Sequence, residues 1–149
     1  MTELRKWKET IFSLNSLEKY CVGVTGASGR LGQELIKRFK EEGAFVIGLT
    51  HREPPKDISS EHLPHEWVRW ECGKEKSLKI TLSKLDILVL NHGVNTKGRQ
   101  SFKDLNHSIE VNALSTWRLI KIFKDITNTS SRNKHQREIW VNTSEAEIQ

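Results

Sequence analysis

At 149 residues the chain fits one domain with room for a core, and its 29% charged and 36% hydrophobic residues exclude a disordered polymer. Net charge is +5, but the cations are scattered rather than interleaved with aromatics, which argues against nucleic acid as a partner. No apolar run reaches the length of a membrane span, and the charged N-terminal stretch lacks a secretory pattern. Cys21 and Cys72 are isolated and read as free thiols in a reducing cytoplasm, so the sequons at Asn106, Asn128 and Asn142 carry no weight.

Residues 1 to 19 set Leu4, Trp7, Ile11, Phe12 and Leu14 among lysines and glutamates, an expected amphipathic helical extension. The mixed charge of its polar face favours packing on the sheet edge or a partner subunit over a membrane surface. Tyr20 to Val24 then reads as a buried strand that runs into Gly26, Gly29 and Gly32. Behind them Leu31, Leu35, Ile36 and Phe39 recur at helical spacing, with Lys37, Arg38, Lys40, Glu41 and Glu42 outward and Gly43 closing the helix. Ala44 to Leu49 is a second buried strand, so the whole is a βαβ unit with the glycine turn at the helix N-terminus.

Unsatisfied N–H groups and the helix dipole make that terminus attractive to phosphate. A side chain at Gly26 or Gly29 would block a pyrophosphate, and one at Gly32 would push the helix off the sheet. An NTP-binding P-loop is excluded, because aligned on Gly29 it needs Gly, Lys and Ser/Thr where this chain has Val24, Arg30 and Leu31. The pattern predicts a dinucleotide site with Gly26, Ser28, Gly29, Arg30, Leu31 and Gly32 as cofactor-binding residues.

The second strand ends at Thr50, where a carboxylate would bond the ribose 2′-hydroxyl and select NAD. Thr50 cannot do so, and Arg52 follows; NADP is therefore expected over NAD, with Arg52, His51 and Arg30 toward the 2′-phosphate. In the loop of residues 53 to 65, His62 and His65 have metal-like spacing, but Pro64 intervenes and no third ligand is fixed nearby, so they read as surface histidines. A short strand at Trp67–Trp70, a helix from Lys74 to Ser83 and a buried fourth strand from Leu85 follow, the last turning at Asn91-His92-Gly93. A long helix is expected from about Leu105 to Ile126. Its two apolar stripes suit a place between the sheet and a partner, and Asn112 sits within it. After a polar connection, Glu138–Ser144 reads as a fifth strand ending in a hydroxyl residue.

Thr25-Gly26-Ala27-Ser28-Gly29-Arg30-Leu31-Gly32 resembles the cofactor turn of the short-chain dehydrogenase/reductase family, in its TGxxGxxG spacing. The resemblance covers residues 20 to 149 and implies an α/β fold. That fold is a Rossmann-like, doubly wound parallel sheet of order 3-2-1-4-5, a three-layer sandwich truncated at its C-terminal side. It implies Glu71, for the usual Asp, at the adenine. It also places Asn91 and Gly93 in the family's Asn-Asn-Ala-Gly signature, with Leu90 and His92 replacing the other two. Asn112 would hold a water of the proton relay. Ser144 would be the catalytic serine, two residues beyond Asn142 rather than the common three.

The implied reaction is hydride transfer between a nicotinamide and a carbonyl or alcohol substrate, with a Tyr moving the proton and a Lys four residues on tuning it. That pair is missing, since the only tyrosine is Tyr20, at the wrong end of the fold. The expectation is the N-terminal portion of an NADP-dependent oxidoreductase; the alternative is a non-catalytic dinucleotide-binding or sensing domain. A cytoplasmic protein with a small-molecule substrate and no metal, nucleic-acid or membrane partner is expected, and a homo-oligomer stays open.

Overall fold

The computed structural model describes residues 16–95, 101–129 and 136–142. The expected N-terminal helix falls outside them, apart from a turn at residues 16–19, and so does Ser144. Five strands, β1 (Cys21–Thr25), β2 (Phe45–Thr50), β3 (Glu66–Arg69), β4 (Ile87–Leu90) and β5 (Glu138–Val141), form one sheet in the order β3-β2-β1-β4-β5. All four pairings are parallel, with Val22 opposite Val46 on one side and Ile87 on the other. The order that the family resemblance implied is the one observed.

The period of two along each strand divides the core into two layers. Val22, Val24, Val46, Ile87 and Val89 face one side, where they pack with Ile36 and Phe39 of helix α1 (Arg30–Glu41). Ile47, Leu49, Leu88 and Leu90 face the other, against Leu82 of α2 (Lys79–Lys84) and Leu119, Phe123 and Ile126 of a later helix. Strands covered on both faces are the reason their sequences are continuous apolar runs rather than alternating ones. Gly43 closes α1 as expected, with φ at +85°, a conformation glycine adopts without steric cost.

One expectation for α1 needs correcting. Leu31 is 51% exposed, because the buried face runs through Gly32, Ile36 and Phe39, and Leu31 sits beside that stripe in the first turn. The long helix differs too. It is α3 (Phe102–Ile109) and α4 (Thr116–Thr129), joined without a break by a π-helical segment at Glu110–Ser115. The wider π turn shifts the helical phase, so a uniform 3.6-residue count mixes the two faces. Leu119, Phe123 and Ile126 are buried together, whereas Ile109, Leu114 and Trp117 stay exposed. Ser101 caps α3 by accepting the Asp104 N–H at 3.1 Å.

His62 and His65 are engaged separately. His62 meets Ser59 and Glu34, whereas His65 accepts the Val46 N–H and stacks on Phe45. No helix among the described residues is long and apolar enough to cross a membrane.

Candidate dinucleotide site

Because every strand runs the same way, the segments following β1, β2, β3 and β4 emerge on one edge of the sheet. At β1 the strand order reverses, and this is where open α/β sheets take ligands. A cavity of about 540 Å³ lies there. Gly26, Ser28 and Gly29 line it from the glycine turn, His51 and Arg52 from the end of β2, and Trp70, Glu71 and Cys72 from the end of β3. Asn91 to Val94 line it after β4, and His107, Glu110 and Val111 reach it from α3 and the π segment.

The glycines have separable roles. Gly26 has φ at +66°, and a Cβ there would stand 2.9 Å from the Asn91 carbonyl oxygen. At Gly32 a Cβ would overlap the Gly26 carbonyl oxygen and stand 2.8 Å from Ala27 Cα, so this glycine lets α1 lie against the turn. At Gly29 a Cβ would meet only the Gly26 oxygen, at 3.3 Å, and would otherwise enter open space. The first bond into α1 is Gln33 N–H to Gly29 oxygen (2.9 Å), and no side chain caps the helix. The amides of Arg30, Leu31 and Gly32 are therefore the orphan donors expected at a helix start. No acidic residue occupies the first turn to compete for them. A backbone cradle with uncapped amides fits the pyrophosphate of a nicotinamide dinucleotide.

Thr25, which sequence reasoning treated only as part of the motif, is the hub joining β1 to β4. It is fully buried. Its hydroxyl donates to the Val89 carbonyl (3.2 Å) and accepts from the backbone N–H groups of Asn91 (2.9 Å) and His92 (3.1 Å). His92 Nδ1 lies 2.9 Å from the same oxygen. His92 Nε2 is buried, and the ring stands edge-on to Trp70. Burial, only partly offset by Glu75, holds His92 below the usual histidine range, which keeps it neutral at pH 7. Asn91 is held on its other side by Asn142, whose side-chain amide donates to Asn91 Oδ1 at 2.9 Å.

At the end of β2, Thr50 is buried and donates to Ser28 Oγ at 3.0 Å, which fixes the glycine turn to the strand. Arg52 Nε donates to His51 Nε2 at 3.2 Å. Burial first, then the charge of Arg52, hold His51 below its ordinary value. Glu71 is exposed and paired with Lys74, which holds its carboxyl below the usual range. Burial pushes the Cys72 thiol up, so it stays protonated and unreactive at neutral pH.

Asn112 stands beside the cavity and is not part of its wall. Its Oδ1 accepts the Val94 N–H (2.8 Å), and its Nδ2 donates to the Val94 carbonyl (2.9 Å) and to Ser108 Oγ (3.1 Å). The side chain thus imitates one strand-like pairing and holds the loop after β4 to the π segment. Beside it, Arg118 pairs bidentately with Glu110 (2.5 and 3.1 Å) and reaches Glu75, which is 1% exposed and also accepts the Gly73 N–H at 2.8 Å.

The structure brings Gly26, Ser28, Gly29, His51, Arg52, Glu71, Asn91 and Gly93 to one cavity. Gly32 and Thr50 support it from behind. Arg30 and Leu31 contribute no side chain to its wall, because both side chains lie on the solvent side of the first turn of α1. Thr25, Trp70, His92, His107 and Glu110 are the residues that sequence reasoning missed. Only His92 carried a signal, as the substituted member of the Asn-His-Gly turn.

Residues 22–146 match the family described as NAD dependent epimerase/dehydratase. The chain belongs to that family. Monoglucosyldiacylglycerol epimerase of Synechocystis is 38% identical over 135 residues, which are 89% of this chain and 33% of that protein. Among solved structures, the Thermoplasma acidophilum aldohexose dehydrogenase overlays with a TM-score of 0.65 at 22% identity, covering 79% of this chain and 48% of that one. A Shigella flexneri short-chain dehydrogenase solved with NADP gives 0.65 at 18%, covering 80% and 58%. These neighbours establish the short-chain dehydrogenase fold that the glycine turn implied. The chain spans about a third of the curated relative and about half of the solved chains.

Proposed function

We propose that this chain holds NADP(H) for a protein that inverts a carbinol centre in the sugar of a glycosylated glycerolipid. The observation that carries the cofactor half is the uncapped start of α1, opening over Gly29 into a cavity whose far wall presents Arg52. The substrate half rests on the relative, an epimerase whose name specifies monoglucosyldiacylglycerol. Such an inversion is an oxidoreduction in two halves, in line with the expected hydride chemistry. Bound nicotinamide supplies a reversible hydride acceptor, so a C–H bond can break on one face of the sugar and re-form on the other.

The chain's own residues bind and orient. The amides of Arg30 to Gly32 take the pyrophosphate, and Arg52 takes the ribose 2′-phosphate that Thr50 leaves unopposed. Thr25 and Asn112 hold the loop after β4 in place beside them, and Glu71 faces the adenine side. Ser144 would bind the reacting oxygen.

The test is to incubate the full protein with monoglucosyldiacylglycerol in detergent micelles and substoichiometric NADP, then identify the released sugar by NMR. The expected result is an epimeric sugar with no net change in reduced nicotinamide. Conversion of the supplied NADP to NADPH, with an equal amount of oxidised sugar, would make the protein a dehydrogenase instead, and an unchanged sugar would remove the substrate class.

A further inference from the structure

Three cations stand near the ends of β2 and β3. Arg69 pairs with Glu53 and Lys74 with Glu71, so each is already neutralised. Among the described residues no carboxylate lies within ion-pair distance of Arg52, whose guanidinium instead donates through Nε to His51 Nε2. This bond requires a bare Nε2. Once His51 is protonated, Nε2–H and Arg52 Nε–H face each other as two donors, an arrangement that an acceptor placed between them relieves. His107 lines the same cavity from α3 and repels a charged His51.

We infer that His51, Arg52 and His107 form a proton-gated clamp for the 2′-phosphate, and that this clamp sets the preference for NADP over NAD. The inference rests on the reading of the cavity as a dinucleotide site. In the free protein His51 is neutral at pH 7, because burial, Arg52 and His107 all disfavour its charge. A phosphate dianion reverses the two electrostatic penalties and draws a proton onto the ring. His51 therefore titrates higher in the complex than in the free protein. NADPH binding takes up a proton between those two values and tightens as pH falls through them. NADH carries no 2′-phosphate and shows no such uptake.

The other groups around the cavity do not imitate this. Glu71 and Glu110 are held low by Lys74 and Arg118 and stay ionised, and burial keeps His92 neutral. Below about pH 6 the phosphate itself takes up a proton, which limits the useful window to more alkaline conditions.

The experiment measures NADPH and NADH affinity by nucleotide fluorescence from about pH 8 down to about pH 6.5, across the range where histidine can change charge. Wild-type protein is expected to bind NADPH about fivefold tighter at the acidic end, with the NADH affinity constant within about twofold. His51→Gln flattens the NADPH profile, and His107→Gln makes it shallower. An NMR titration of the His51 ring provides an independent readout, its midpoint rising when NADPH saturates the site. A slope that survives in His51→Gln, or one shared by NADH, overturns the clamp. NADPH binding with a flat profile overturns it as well, leaving the cofactor reading intact. Binding of neither nucleotide at any pH removes both.

Discussion

Gly32→Ala lowers the unfolding free energy by about 3 kcal/mol, more than an exposed helix position would ever show. The Cβ it adds overlaps the Gly26 carbonyl oxygen and crowds Ala27 Cα, and neither backbone atom has anywhere to move. Glycine to alanine within a helix ordinarily stabilises by up to about 1 kcal/mol, so the sign of the effect is diagnostic. Relief requires α1 to lift from β1, which separates Ile36 and Phe39 from Val22 and Val24. Urea denaturation of Gly32→Ala beside Gly29→Ala makes the comparison. Gly29→Ala keeps near-normal stability, because its Cβ meets only one atom, at 3.3 Å, but it loses dinucleotide binding. Equal stability of the two variants would show that close helix approach is not what Gly32 provides.

Thr25→Val, which keeps the side-chain shape, costs about 3 kcal/mol. The hydroxyl is fully buried and serves the Asn91 and His92 amides, the His92 ring and the Val89 carbonyl at once. Valine leaves those groups without their partner at a fully buried position, and each buried orphan costs about 1–3 kcal/mol. Thermal unfolding reads the loss, and Thr25→Ser, which retains the oxygen, restores most of it. A loss under about 0.5 kcal/mol, the range of ordinary surface substitutions, would mean the hub is dispensable.

The sheet was legible because buried parallel strands are short apolar runs with turns between them, and because Gly26, Gly29 and Gly32 mark one βαβ unit unambiguously. Half of the cavity was legible for a related reason: strand ends converge on one edge, so Arg52 could be placed by counting from its strand, and Glu71 and Asn91 by the family resemblance at the ends of theirs. His107 and Glu110 could not. They reach the cavity only through the path of α3 and the π segment, and no periodicity signals a single wide turn. Leu31 was misplaced by a stripe that looked continuous in sequence yet lies beside the face that packs. The role of Asn112 was read from resemblance; in the structure its side chain bonds Val94 and Ser108. The identity of the carbonyl or alcohol substrate was beyond the sequence, which carries no motif for it.

Titration of the protein with NADPH and NADH, repeated on Arg52→Ala, tests the reading of this cavity most directly. Saturable NADPH binding that weakens about tenfold or more in the variant, with NADH weaker in wild type and indifferent to the substitution, is the expected result, a loss in the range of a charged hydrogen bond. NADH binding tighter than NADPH, or NADPH binding unmoved by Arg52→Ala, would contradict it.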